Sequence, residues 1–229
     1  MSNAEIWDEE AVAAYDMPGR GMFAPSVLER VVARLADLAR GGRALEFAFG
    51  TGRVALLLQA KGGAVAGVEI APALLAQQRT KVSEADLPVA LGDRVTARIS
   101  GDFALVFRMF NGMSKVVTQA ERVDIGQSAA RQLGPGGRFV MGLRVPDLPH
   151  PTGPQAVVGT AEPWYLQGDI CNRVAQVVRT RHRHFWPSKL DLMGQWAGFV
   201  LESRQADWAG GAFAGALRSH VPVCRRGRT

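Results

Sequence analysis

Residues 44–53, ALEFAFGTGR, place a carboxylate, Glu46, inside an apolar run, follow it with small residues at alternate positions, Ala48, Gly50 and Gly52, and then resume with Arg53 and a second apolar run. A strand that breaks into such a turn and opens a helix offers a ligand backbone N–H groups and the positive end of the helix dipole. The spacing separates two kinds of ligand. A dinucleotide turn, G-x-G-x-x-G, counted from Ala48 needs its third glycine where Arg53 stands, and fails there. Alternate small residues instead let the backbone approach a ligand closely without building a phosphate cradle. Further along, Glu69 ends an apolar run 17 residues after Gly52, Asp93 follows the run LPVALG, and Asn111-Gly112 follows FALVFRMF. His182 and His184 lie two apart in RTRHRHFW, so on a strand they share a face, with Arg181, Arg183 and Phe185 on the other. No Cys, Asp or Glu stands at ligand spacing beside them, so no metal site is expected, and they read as solvated strand residues or substrate contacts. Arg side chains and Trp186 in the same stretch suit an anionic or planar substrate.

These residues need elements to position them. APSVLERVVARLADLARGG reads as a helix with Ser26 as its N-cap, apolar residues at 27, 28, 31, 32, 35 and 38, and a double glycine as its stop. After it RALEFAF, AVAGVEI, LPVALGD, DFALVFRMF and RFVMGLRV read as strands, and GRVALLLQAKGG, APALLAQQRTKVSEA and TQAERVDIGQSAARQLGPGG as helices. Gly134, Gly136 and Gly137 are expected to supply the helix stop and tight turn before the last of those strands. Strand and helix alternating at this spacing imply a parallel sheet covered on both faces, an α/β doubly wound fold. From Pro146 to Trp164 five of the 12 prolines mark a loop. DICNRVAQVVRTRHRHFW alternates in part like a strand, PSKLDLMGQWAG reads as a helix with proline at its first turn, and FVLESRQ and SHVPVCR as strands.

At 229 residues, one domain is the default. Its parts are N-terminal cap helices over 1–40, a cofactor-binding half over 41–145, a cover region over 146–186, and a C-terminal helix and strands over 187–229. The net charge of +6 comes from scattered residues, 23 Arg to 4 Lys, without the clustered basic stripe and interleaved aromatics of a nucleic-acid face, so no nucleic-acid partner is expected. No apolar run approaches the ~20 residues of a membrane helix, and the acidic start MSNAEIWDEE is unlike a signal peptide, so no membrane partner and a cytoplasmic location are expected. Cys171 and Cys224, 53 residues apart, read as ordinary reduced thiols.

LEFAFGTGR resembles motif I of class I S-adenosylmethionine-dependent methyltransferases, usually Glu/Asp-x-Gly-x-Gly-x-Gly, with Ala48 in place of the first glycine. The resemblance continues in order: VAGVEIAPALLAQQRTK is similar to the second strand with its terminal acid, LPVALGDR to the adenine-side motif, FALVFRMFNGMS to the fourth strand and its loop, and AARQLGPGGRFVM to the helix, turn and fifth strand. YDMPGR and WPSKLDLMGQWAGFVLESR resemble the family's small-molecule branch. The resemblance implies a Rossmann-like, mostly parallel seven-stranded sheet with an antiparallel C-terminal strand, and S-adenosylmethionine as cofactor, with S-adenosylhomocysteine as product.

In that frame Glu69 and the adjacent Ile70 meet the ribose, a carboxylate accepting from both hydroxyls of the diol; Glu46, Ala48, Gly50 and Gly52 meet the methionine end; and Asp93, with Arg94, meets the adenine amine. Met109, Phe110 and Asn111 line the sulfonium side by resemblance, and Tyr15 closes over the methionine end. Each has a plainer alternative: Glu69 as a cap of the next helix, Asp93 and Asn111-Gly112 as turn residues, Tyr15 as packing. The expected activity is methylation of a nitrogen or oxygen of a small molecule, a secondary metabolite. An amine acceptor needs no base, whereas a hydroxyl would be helped by one, for which Tyr15, His182 and His184 are the candidates. The alternatives are an RNA or protein methyltransferase, and a non-catalytic S-adenosylmethionine-binding protein, for which Ala48 and Arg108 are the unusual residues. The cover region, about 40 residues from Pro146 to Trp186, is short, which implies an open pocket completed by the N-terminal segment or by a second subunit of a homodimer.

Overall fold

The computed structural model describes residue 12, residues 23–110, 112–145, 164–169, 176–181, 183, 186–215, 217 and 219–227, with backbone alone for 164–169 and 176–181. Five strands, joined through helices except between the third and fourth, form a parallel sheet: β1 (Ala44–Phe47), β2 (Val65–Glu69), β3 (Val89–Leu91), β4 (Phe103–Arg108) and β5 (Leu133–Met141). β1 lies between β2 and β4, β3 flanks β2, and β5 flanks β4. All of β1 and β2 is buried, which is why both read as unbroken apolar runs rather than alternating ones.

The order then reverses hand. β10 (Ser219–Arg226) pairs antiparallel with β5 and carries β9 (Phe199–Gln205) on its outer side. A two-residue strand β6 (Leu143–Arg144) continues β5 past Gly142 in the same register against β10, so the eight strands of this sheet occupy seven positions. Arg138 on β5 grips Glu202 on β9 through Nε and Nη2 at 3.0–3.1 Å, spanning the strand between them. β7 (Trp164–Asp169) and β8 (Gln176–Arg181) form a separate antiparallel pair in the expected cover region. The sequence pattern gave no sign of β7, because its six residues do not alternate; the adjacent Trp164 and Tyr165, both strand-favouring, were the available signal.

Two apolar layers cover the sheet. On one face α1 (Pro25–Ala39) and α2 (Arg53–Ala60) bury Leu28, Val31, Leu35, Val54 and Leu58 against Leu105 and Phe107. On the other, α4 (Gln119–Gln132) and α5 (Pro187–Trp196) bury Ile125, Leu190 and Met193 against Phe47, Val106 and Phe139. A short α3 (Pro72–Arg79) links β2 to β3. Among the described residues no helix is long and apolar enough to cross a membrane. Cys224 is free and buried, and burial pushes its thiol up to about 12.

Three local expectations are corrected. α1 starts at Pro25 with Ala24 as the N-cap, so Ser26 lies inside the helix, because a proline at the first position already suits the turn whose N–H groups lack partners. Its Ser26 carbonyl accepts from Arg30 Nε at 3.0 Å. Instead of a glycine turn before β5, Leu133 already pairs with Phe103, and pairing resumes at Arg138 with Leu105, so Gly134–Gly137 bulge out within the strand. The helix expected over APALLAQQRTKVSEA stops at Arg79, and Leu87 N–H to Ser83 O at 3.0 Å belongs to a turn beyond it.

α4 begins at a side-chain cap: Thr118 Oγ1 accepts from Glu121 N–H at 3.2 Å. Glu121 does not return to the cap but takes Arg94 Nη2 at 2.7 Å, so the cap also fixes a carboxylate used elsewhere. Thr118→Ala is expected to lower stability by about 1 kcal/mol, read as a lower urea midpoint at unchanged slope.

Candidate functional site

The carboxyl ends of β1, β2 and β4 open onto one cleft, where a doubly wound sheet places its ligands. Glu69, the last residue of β2 and buried, organises its floor. Its Oε2 accepts from Gly50 N–H at 2.6 Å, across from the β1 turn, and its Oε1 accepts from Ile70 and Ala71 N–H, each at 2.9 Å. One side chain thus fixes the turn after β1 and the turn into α3 relative to each other. A carboxylate offers about four acceptor positions, so about one is left facing the cleft. The sequence expectation gave Glu69 both hydroxyls of a diol; the three backbone donors leave room for one.

Glu46, from β1, is 4% exposed and lines the same cleft. The Ala55 N–H, in the first turn of α2, donates to its carboxylate, while its Oε2 has no partner. Burial, and secondarily the charge of Glu69, hold the Glu46 carboxyl well above the usual carboxylate range, although the Ala55 bond works the other way. A buried carboxyl oxygen without a donor is a site for a cationic or N–H group.

The turn between these acids carries a bulky residue and a strained one. Phe49 is buried, and its ring fills the space over Gly67 of β2, where an added Cβ would lie 2.0 Å from Phe49 Cδ2. Ala48 has φ 58°, the left-handed region that glycine occupies at little cost. The glycine that the resemblance puts at position 48 therefore has a backbone reason.

The facing wall comes from the end of β4 and the loop after it. Met109, Phe110, Gly112 and Lys115 line the cleft, Phe110 at φ 52°. Phe23, just before α1, meets the Phe110 ring edge-on at 5.3 Å between centroids, and the Arg53 guanidinium lies 3.6 Å from the Phe23 ring centroid. The N-terminal side of the chain thus roofs the cleft. Val12 packs on Ala71 and Leu74, the latter a cleft residue. Arg94 and Arg108, 6% and 4% exposed, complete this wall.

Of the residues expected at the site, Glu46, Ala48, Gly50, Glu69, Ile70, Arg94, Met109 and Phe110 are brought to the cleft. Gly52 and Asp93 do not line it. Gly52 is the N-cap of α2, and Asp93 Oδ1 accepts from Val95 N–H at 2.7 Å, its own turn. Tyr15, Asn111, His182 and His184 lie outside the described residues; β8 ends at Arg181, before either histidine. Arg183 donates through Nη1 to Val117 O at 2.9 Å and through its N–H to Ser114 O at 2.8 Å, so it serves the packing of that segment. His220, buried at the same end of the sheet and pushed down to about 4 by burial, does not line the cleft. Phe23, Phe49, Arg53 and Lys115 were not singled out from the sequence. Phe49 was legible in principle, since an aromatic inside a small-residue turn needs a gap opposite, and Gly67 is that gap.

Residues 44–137 match the family model described as a methyltransferase domain. No curated protein matches the chain. Among solved structures the chain is similar to the CcbJ methyltransferase of Streptomyces caelestis, 24% identical over 97% of this chain and 100% of that one, with a TM-score of 0.80. It is similar to DesVI of Streptomyces venezuelae, 17% identical over 97% and 99%, TM-score 0.71. It is also similar to the glycopeptide N-methyltransferase MtfA in complex with S-adenosylmethionine, 18% identical over 86% and 94%, TM-score 0.60. The fold is that of class I methyltransferases.

The strain at Ala48 is directly measurable. Ala48→Gly is expected to raise stability by about 1 kcal/mol, seen as a higher denaturant midpoint; an unchanged or lower midpoint would show that the turn absorbs the left-handed alanine at no cost.

Proposed function

We propose that this S-adenosylmethionine-dependent methyltransferase delivers its methyl group to a nitrogen or oxygen of a small molecule, a secondary metabolite. The observation that carries the small acceptor is the roof: Phe23, Arg53 and Phe110 close over a cleft whose floor is already occupied by turn backbone, leaving a pocket rather than an open face. The N-methyltransferase activity in the name of one structural neighbour is compatible with a nitrogen acceptor.

The residues present suit the cofactor. The unpartnered Oε2 of Glu46 takes the ammonium of the methionine end, with the Gly50 turn and the start of α2 beside it. Glu69 accepts from a ribose hydroxyl at its remaining position. Ile70, Arg94, Met109 and Phe110 flank the nucleoside and sulfur, and Asp93, beyond the residues that line the cleft, is assigned the adenine amine through the oxygen its turn leaves over. Tyr15 and Asn111 are assigned the methionine end and the sulfonium side respectively. When bound, the sulfonium supplies an already electrophilic methyl group. The chain's own task is to align the acceptor in line with it and to exclude water, which Phe23 and Phe110 do from above. An amine acceptor is held neutral and needs no base; for a hydroxyl, Tyr15, His182 and His184 are the candidates.

The function is tested by screening small amines and hydroxyl compounds for S-adenosylhomocysteine release. Turnover confined to RNA or protein fractions would replace the small acceptor with a large one. Two variants test the cofactor assignments. Glu69→Ala is expected to weaken S-adenosylhomocysteine binding by about 1.5–3 kcal/mol, the range for hydrogen bonds to a charged group, and to lower the melting temperature because Gly50, Ile70 and Ala71 lose their acceptor.

For Glu46 the sign follows from its raised value. The free protein holds this carboxyl protonated above the usual carboxylate range, so the group's contribution to stability is fully present below that range and is lost as pH rises from there through the raised value. An ammonium placed at Oε2 favours the charged form. S-adenosylhomocysteine binding therefore releases a proton at pH values up to the raised one and tightens as pH rises through that window. Calorimetry in buffers of different ionisation heat reads this release, and Glu46→Gln is expected to abolish it.

A further inference from the structure

The wall of the cleft has a charge problem that the cofactor does not solve. Among the described residues, four cationic side chains line it, Arg53, Arg94, Arg108 and Lys115, against two carboxylates, Glu46 and Glu69. S-adenosylmethionine adds two positive groups, sulfonium and ammonium, and one negative. Arg53, at the start of α2, lies over the Phe23 ring, near where the methionine carboxylate must accompany its ammonium at Glu46. The other three cations come from different segments, Arg94 from the turn after β3, Arg108 from the end of β4 and Lys115 from the segment beyond it.

Arg108 is the centre of this second group. It closes β4, is 96% buried by its 4% exposure, and donates through Nη2 to Gly112 O at 2.7 Å, while its Nε and Nη1 have no acceptor. Arg94, also on the wall, places Nη2 on Glu121 and leaves Nε without an acceptor. Burial, Arg94 and Arg122 depress its guanidinium to about 9, with Glu69 and Glu121 opposing, and burial together with Arg108 depresses Lys115. Glu69 is engaged by three backbone N–H groups and Glu121 by Arg94. A buried guanidinium with two of its three nitrogens unpartnered is costly unless a partner arrives. An apolar residue at the end of β4 would avoid that cost.

We propose that Arg108, with Arg94 and Lys115, forms a subsite for an anionic oxyacid group, carboxylate or phosphate, carried by the methyl acceptor. This rests on the cleft being the methyl-transfer site. The anion neutralises the wall and offsets the positive charge of the cofactor, so acceptor and S-adenosylmethionine reinforce each other's binding, an effect the uncharged thioether of the product loses.

The test uses the full chain and two calorimetric titrations. S-adenosylhomocysteine is titrated first, into wild type, R108Q and R108K; wild type failing to bind it would remove the cofactor reading, and the anion arm is then run on the free protein and scores the subsite by itself. Otherwise the saturated complex is titrated with inorganic phosphate and, separately, acetate, at ionic strength held constant with chloride. Expected are one saturable anion site in wild type, binding weakened at least tenfold in R108Q and restored in part in R108K, and S-adenosylhomocysteine affinity changed less than threefold in both variants. Saturation by phosphate alone indicates a phosphorylated acceptor, and by acetate alone or by both a carboxylate-bearing one. The proposal is overturned if neither anion saturates wild type, if R108Q binds the anion as well as wild type, or if the anion displaces S-adenosylhomocysteine, which would make Arg108 a partner of the cofactor's own carboxylate. Melting temperatures guard against misfolding: R108Q is expected to melt no lower than wild type, because it removes an under-satisfied buried cation, and R108K supplies the folded comparison if it does not.

Discussion

The Glu69 carboxylate is the constraint on which the site's geometry depends. Gly50, Ile70 and Ala71 belong to turns that leave different strands, and each N–H would otherwise face the interior without an acceptor. Hydrogen bonds to a charged oxygen are among the stronger ones available. By collecting all three, the side chain makes the two turns one rigid piece and orients the α2 end of the cleft against the α3 end. Its capping role leaves the carboxylate on the cleft wall, so the two alternatives read from the sequence are compatible.

A second layer of the design is steric. Phe49 occupies the middle of a turn whose other members are small, and it fits because β2 carries Gly67 opposite and because the turn bends through left-handed Ala48. The aromatic ring fills what would otherwise be a gap between the turn and the sheet, and it belongs to the same apolar layer as Val54, Leu58 and Phe107. Packing and ligand approach are thus arranged in one stretch of seven residues, with the backbone turned to the cleft and the ring turned to the core.

Much of this was legible in the chain itself, for identifiable reasons. The parallel half could be read because buried strands and amphipathic helices alternate at a spacing that a doubly wound sheet requires. Glu46, Gly50 and Glu69 could be placed at the cleft because their position at strand ends follows from that alternation. What escaped depended on tertiary context. The glycines at 134–137 carry the usual marks of a helix stop, yet Leu133 is drawn into pairing with Phe103 first and they become a bulge. Ser26 looks like a cap, but Pro25 pre-empts it. Asp93 and Gly52 keep the turn and cap roles that their types favour. The cationic group of Arg94, Arg108 and Lys115 is assembled from the ends of three segments, and no spacing along the chain announces it.

β10 lies between β5 and β9, with Val223 facing Val140 on one side and Ser203 on the other. An interior position in the sheet is therefore filled by a strand that follows every other described strand in the chain. The second edge of β5, beside Phe139, is closed only by pairing with residues far along the chain, Val140 with Val223 and Phe139 with Cys224. Such late, long-range pairing slows folding and exposes a sticky edge in the meantime. The half of the molecule that forms the cleft lies wholly before that strand and is held by pairings of shorter span, β1 with β2 and β4, and β4 with β5.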